Sequence, residues 1–229
     1  MIPAALEQGL RLQAAELRRR LGAGMPRAGW KVCVNDGRLQ EKLGLDGSFA
    51  GFLDGSRALA TGDAWKVEEG SILGVEPEFA IRFRAGVAAG DAPEAIRRAI
   101  EGVAPAIEVV DWKDARLDLA SLAASSSFHA GFVTGRLRGL DDVPAIGPGC
   151  PRLGRGDEIL GVPDPSLVPS DLTAVVARVA ESLAVTGEQI RAGDWLVAGA
   201  CTNPARVKAG DVVEADFGRL GRVVVRFVA

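Results

Sequence analysis

The stretch GVEPEFAIRF, residues 74–83, sets two acids inside an otherwise apolar run. Read as a strand, its side chains alternate between faces. Glu76, Glu78 and Ala80 then point one way, and Pro77, Phe79 and Ile81 the other. Two carboxylates two positions apart on one face stand about 7 Å from each other. On a solvated face that is ordinary; on a buried face it is costly unless a positive charge lies between them. A third acid, Glu108, sits in a second apolar run, APAIEVVDW (104–112), flanked by Ile107, Val109 and Val110. Three carboxylates on neighbouring buried strands suit a hard divalent cation, Mg²⁺ or Mn²⁺, bound through oxygen. Three acids on solvated strand faces are the other reading, and spacing leaves both open.

The remaining composition narrows the function classes. With 229 residues, 48% hydrophobic and 25% charged, the chain has room for one large domain or a small one beside a larger one. The net charge of −3 is spread with mixed signs, without the basic stripe a nucleic-acid surface needs. The longest apolar runs are far shorter than a membrane span, and residues 1–25 lack a signal-peptide core, so a cytoplasmic protein is expected. Three scattered cysteines make neither a disulfide framework nor a thiolate zinc site. There is one histidine, His129, so a multi-histidine metal site is excluded and a serine or cysteine triad could only run through that residue. No GxGxxG follows a strand and no GxxxxGK[ST] occurs, which argues against nucleotide binding.

Along the chain, residues 3–22 have the apolar spacing of an amphipathic helix. GWKVCVND (29–36) reads as a strand, residues 36–45 as a short helix, and residues 46–62 as a loop with FAGFLDG packed inside it. From about residue 66 the pattern becomes β-rich: residues 65–83 and 104–112 read as strands separated by a helical APEAIRRAIEGV (92–103). LDLASLAASSSF (117–128) reads as a helix leading into a strand, HAGFVTGRL (129–137). Residues 138–165 alternate short strands and turns. Residues 170–185 form the clearest helix, capped by Ser170 or Asp171. AGDWLVAGACT (192–202), AGDVVEADFGRLG (209–221) and RVVVRFVA (222–229) read as strands joined by Gly-Asp turns. The sum is an α+β protein with a small helical N-terminal part, residues 1–62, and a larger, mostly antiparallel core, residues 63–229.

Taken in order, GVEPEFAIRF, APAIEVVDW, GFVTG and the terminal IRAGDWLVAGACT…VKAGDVVEADFGRLGRVVVRF resemble the fumarylacetoacetate hydrolase superfamily, and within it the hydratase/decarboxylase branch. The resemblance runs from about Gly29 to the end. It implies a mixed β-roll core and a Mg²⁺ or Mn²⁺ held by Glu76, Glu78 and Glu108. The implied substrate is a small 2-keto or 2-enol acid that chelates the metal, which stabilises an enolate. It also implies a role for Lys31 in GWKVCVND, pairing with the substrate carboxylate or moving a proton; a lysine snorkelling off a strand edge is the plain alternative. Asp54 in FAGFLDG matches an acid of the family's N-terminal loop, and Thr202 falls where the family closes its site with a small hydroxyl residue. A homo-oligomer, dimer or higher, is implied too.

One segment departs from the family. Where the hydratases carry a sequence like ADNASSGAFVLG, this chain reads ASSSFHAGFVTG (124–135). Anchoring on the shared FV-G sets Ser125 and Ser126 at the Asp-Asn positions, and Phe128 and His129 at the two serines. Ser126 and Phe128 are thereby candidates for substrate contact. His129 is a candidate general acid/base near neutral pH, or, with Phe128, a group filling the pocket. The lead expectation is a metal-dependent, hydratase-like lyase. Decarboxylation by the same branch, C–C hydrolysis of the acylpyruvate type and a repurposed, non-catalytic member are the alternatives; the absence of a histidine before residue 129 counts against hydrolysis.

Overall fold

The computed structural model of the protein describes residues 2–142 and 150–229, so part of the turn-rich 138–165 segment lies outside the described residues. The chain opens with α1 (Ala4–Gly22), β1 (Arg27–Cys33), α2 (Gly37–Leu43) and β2 (Phe49–Asp54). Two short strands follow, β3 (Ala58–Ala60) and β4 (Ala64–Lys66), then β5 (Leu73–Phe83), α3 (Pro93–Ala99) and β6 (Ile100–Asp111). Next come α4 (Leu119–Ala124), β7 (His129–Thr134), β8 (Arg152–Arg155), β9 (Glu158–Gly161) and α5 (Leu172–Ala184). The end is all strand: β10 (Trp195–Val197), β11 (Ala205–Arg206), β12 (Val212–Asp216) and β13 (Arg222–Val228).

Two sheets share one core. The larger runs β2-β1-β10-β5-β6-β7-β3, with β11 beside β5, and the smaller runs β4-β13-β12-β8-β9. Most pairings are antiparallel, but β1–β10, β3–β7 and β4–β13 are parallel, so both sheets are mixed. The face of β5 carrying Phe79 and Ile81 packs into this core, with Phe79 edge-on to Phe217 beyond β12 at 5.1 Å between ring centres. Val213, Val223, Val225 and Phe227 of the smaller sheet complete it.

Three local outcomes differ from the sequence expectations. FAGFLD is a strand, because its unbroken apolar run pairs with β1 from Trp30↔Phe52 to Cys33↔Phe49. AGDWLVAGACT is strand only at Trp195–Val197; residues 198–204 then leave the ladder and cross the edge of β5, where Ala198 N–H donates to Phe79 O and Cys201 N–H to Pro77 O. That irregular edge explains a proline in a central strand, since the loop supplies donors to Pro77 and needs none from it. The helix expected over 117–128 stops at Ala124.

Buried polar groups tie the helical part to the sheets. Gln13 of α1 donates to Ala50 O and Ala123 O, joining β2 and α4. Asp194 accepts two 2.8 Å bonds from Arg27 and one from Trp30 Nε1, pinning β1 to β10. Gly29 has φ +119, and a Cβ there would fall 2.1 Å from Trp195 O, so only glycine allows this close approach. Among the described residues no helix is long and apolar enough to cross a membrane.

Candidate metal centre

Register alone brings the acids together. Glu76 of β5 lies directly opposite Glu108 of β6, and Glu78 is two positions along the same face. Each offers an oxygen, and the three oxygens lie within 4.8 Å of one another. Glu78 and Glu108 are buried and Glu76 is half-buried, so the solvated-face reading does not hold. Lys31, on β1, reaches the same place: its Nζ stands 2.5 Å from Glu108 Oε1. Gly51 on β2 makes room for that lysine. A Cβ there would lie 2.8 Å from Cys33 Sγ, 2.8 Å from Ser126 Cβ and 3.0 Å from Lys31 Cγ.

Charge is unequally shared among the acids. Burial opposes ionisation of Glu108, but the Lys31 ammonium and the His129 ring outweigh it and take its carboxyl down to about 2. Burial, with repulsion from Glu108, pushes Glu76 up to about 7 and Glu78 well above the usual carboxylate range, against the pull of Lys31. Burial likewise opposes the charge on Lys31, and Glu108 prevails, raising it.

The donor set fits a divalent cation. Glu108 Oε1 carries both the Lys31 and His129 contacts, while Oε2 is buried with no hydrogen-bond partner. A buried carboxylate oxygen left bare beside two further acids is costly, and a hard cation relieves all three at once. Glu78 Oε2 also accepts a 2.5 Å bond from Gly199 N–H, so the 198–204 loop orients this second acid.

These groups floor a cavity of about 410 Å³ lined by Lys31, all three acids, Phe128 and Thr202. Its walls are largely apolar, from Val110, Trp112, Leu117 and Leu122, and α2 adds Leu39 and Lys42. Thr202 is buried, and its hydroxyl donates to Asn203 O at 2.9 Å.

Three of the sequence candidates stand elsewhere. The Asp54 carboxylate caps the turn at Gly55–Arg57 through Ser56 and pairs with Arg20 at 3.0 Å. It borders a separate cavity of about 200 Å³, as does His129. Ser126 turns its hydroxyl toward β2, accepting from Phe52 N–H at 3.1 Å. Its neighbour Ser127, which the sequence reading passed over, lines the main cavity and has a buried hydroxyl without a partner. Asn35, also passed over, donates to Ala200 O at 2.8 Å and Leu167 O at 3.2 Å, clamping the loop above the acids. No short motif marks either residue; both are small polar side chains, and a turn sets the direction of Ser127.

No protein-family model matches the chain. It is 27% identical over 235 residues to a 4-oxalocrotonate decarboxylase of Pseudomonas putida, across 92% of this chain and 81% of that protein. A 2-keto-4-pentenoate hydratase of Paraburkholderia xenovorans (strain LB400) is 27% identical over 225 residues, covering 94% and 81%. In three dimensions, the 4-oxalocrotonate decarboxylase from Pseudomonas putida G7, solved with magnesium and adipate, matches with a TM-score of 0.85 at 24% identity, over 94% of this chain and 83% of that one. The chain has the fold of that decarboxylase, and its sequence is similar to those of these decarboxylases and hydratases. Its likeness is to the hydratase/decarboxylase branch, and the mixed two-sheet core is the β-roll anticipated for that family. The ASSSFHAG segment is where Ser127 enters the cavity and His129 meets Glu108.

Proposed function

We propose that this protein is a member of the fumarylacetoacetate hydrolase superfamily and a divalent-metal-dependent lyase acting on a small 2-keto carboxylic acid, by hydration or decarboxylation. The observation that carries this reading is the bare Glu108 Oε2 in a cluster of three acids, with an ammonium in the same cavity floor. Glu76, Glu78 and Glu108 would hold the ion, with Mg²⁺ or Mn²⁺ favoured by an all-oxygen set. Such an ion acts as a Lewis acid toward the keto oxygen of a chelating 2-keto acid. The chain's own groups do the rest. Lys31 offers its ammonium to the substrate carboxylate, Ser127 and Thr202 line the floor, and the apolar walls exclude water and take the substrate's tail. In functional terms residues 1–62 supply Lys31 and the α2 wall, and residues 63–229 supply the acids. We place the active form in a homo-oligomer, as the family resemblance implies.

The walls bear on which substrate fits. Apart from Lys31, the cavity's one lysine is Lys42 on α2, and most other walls are apolar. An uncharged tail, as in 2-keto-4-pentenoate, suits those walls directly, whereas the distal carboxylate of 4-oxalocrotonate would need Lys42 as partner. Turnover of both substrates with Mg²⁺, for the wild type, Glu78→Gln and Lys42→Ala, tests this. The expected result is turnover that a chelator and Glu78→Gln abolish, with 2-keto-4-pentenoate used better and unaffected by Lys42→Ala. Preferential turnover of 4-oxalocrotonate by the wild type, with a rise of about tenfold in its KM in Lys42→Ala, would favour the dicarboxylate reading instead. Turnover of neither substrate, or turnover indifferent to Glu78→Gln, contradicts the proposal.

A further inference from the structure

His129 is held from both ends. Its Nδ1 lies 2.7 Å from Glu108 Oε1, and its Nε2 lies 3.2 Å from the backbone nitrogen of Asp54. A backbone N–H can only donate, so Nε2 is the acceptor and carries no proton. The proton of the neutral ring is therefore on Nδ1 and is donated to Glu108. The side chain is 2% exposed and does not line the main cavity, so neither ring nitrogen is offered to a substrate there.

The backbone explains how the ring gets there. Opposite residues of an antiparallel pair share a face, and Glu108 pairs with Phe132. Uninterrupted pairing would set Ala130, not His129, across from Val110. The register shifts between Val109 and Val110, so Val109 faces Gly131 while Val110 faces His129. This one-residue bulge turns His129 onto the face that carries Glu108.

We propose that His129 is a positioning residue: through a fixed Nδ1–H tautomer strung between the β2 backbone and Glu108, it presents the free Oε2 of Glu108 to the metal, and it transfers no proton to substrate. Resting on the metal-dependent reading above, the inference adds an outer hydrogen bond to one ligand. Such outer partners typically hold about 10–100-fold in metal affinity.

Because the chain has one histidine, ¹⁵N-histidine labelling yields a single set of imidazole signals from the intact protein. The expected spectrum near neutral pH shows a protonated Nδ1 and a bare Nε2, both with and without Mg²⁺. An Nε2–H tautomer would overturn the inference. Two variants supply the second arm. The amide of His129→Asn can place a donor where Nδ1 stood, whereas that of His129→Gln reaches the Nε2 position. Mn²⁺ affinity should stay within about threefold of wild type for His129→Asn and fall about 10–100-fold for His129→Gln. Loss of kcat by 10²-fold or more in His129→Asn, with Mn²⁺ binding intact, would assign proton transfer to His129 and overturn the inference. Failure of the wild type to bind Mn²⁺ would count against the metal reading, while the tautomer spectrum would still decide how His129 is held.

Discussion

At Glu108 two oxygens of one carboxylate do different work: Oε1 is saturated by Lys31 and His129, and Oε2 is left bare. That division depends on the reach of Lys31, which depends on the missing side chain at Gly51. Gly51→Ala should therefore cost about 1–3 kcal/mol of stability and at least tenfold in kcat/KM, because a Cβ there must displace Cys33, Ser126 or the Lys31 stem. Denaturant unfolding and steady-state kinetics check the pair of effects. A variant as stable and active as wild type would show that the Lys31 path tolerates crowding. At this scale much of the cavity floor was legible in the sequence. Glu76, Glu78 and Glu108 are acids in apolar runs, a local anomaly that period-2 alternation converts into a shared face. Asp54 and Ser126 do not line the cavity, because a capping turn and a left-handed backbone point them elsewhere, and neither geometry leaves a mark in residue order. His129's face follows from a bulge, which shifts alternation by one and is equally silent.

Among elements, the turn between α4 and β7 is the unusual one. Ser126, Ser127 and Phe128 have φ of 51°, 52° and 66°, and Val34 beside the cavity has 57°. Among the described residues these are the only non-glycine positions with positive φ, and Val34, Ser127 and Phe128 all line the cavity. Left-handed backbone costs roughly 1–2 kcal/mol per residue for side chains with a Cβ. Strain concentrated at one cavity is the pattern of a preorganised site. Ser127→Gly removes the Cβ and the buried, unpartnered hydroxyl together, so it should raise stability by about 1 kcal/mol while lowering substrate affinity. Thermal melts against KM read both directions. A lower melting temperature would mean that the Ser127 hydroxyl holds the turn rather than serving the cavity. The sequence expectation of a helix through residue 128 missed this turn because three consecutive serines and a phenylalanine carry no glycine to announce left-handed backbone.

For the molecule as a whole, the α+β class was legible because long apolar runs, Gly-Asp turns and one strongly amphipathic helix survive any tertiary context, whereas the β-roll was implied by the family resemblance. Of the two expected caps of α5, Ser170 and Asp171, the helix uses Asp171, whose carboxylate accepts from Thr173 and Ala174. Less legible was the partition of strands between two sheets. Residues 65–83 read as one β-rich stretch, yet β4 joins the smaller sheet and β5 the larger, with a turn between them closed by Ser71 N–H donating to Glu68 O. Such choices are made by distant partners: Trp65 pairs with Phe227, more than half the chain away. This wrapping of two sheets around one core is what buries three acids beside one lysine, and under the proposed function burial is what would make them a metal site rather than a charged edge. Calorimetric titration of Mn²⁺ into metal-free wild type and into Glu78→Gln tests that claim most directly. The account predicts saturable binding of about one ion per chain in the wild type, weakened at least 10²-fold in the variant; equal binding by the two proteins, or none by the wild type, would contradict it.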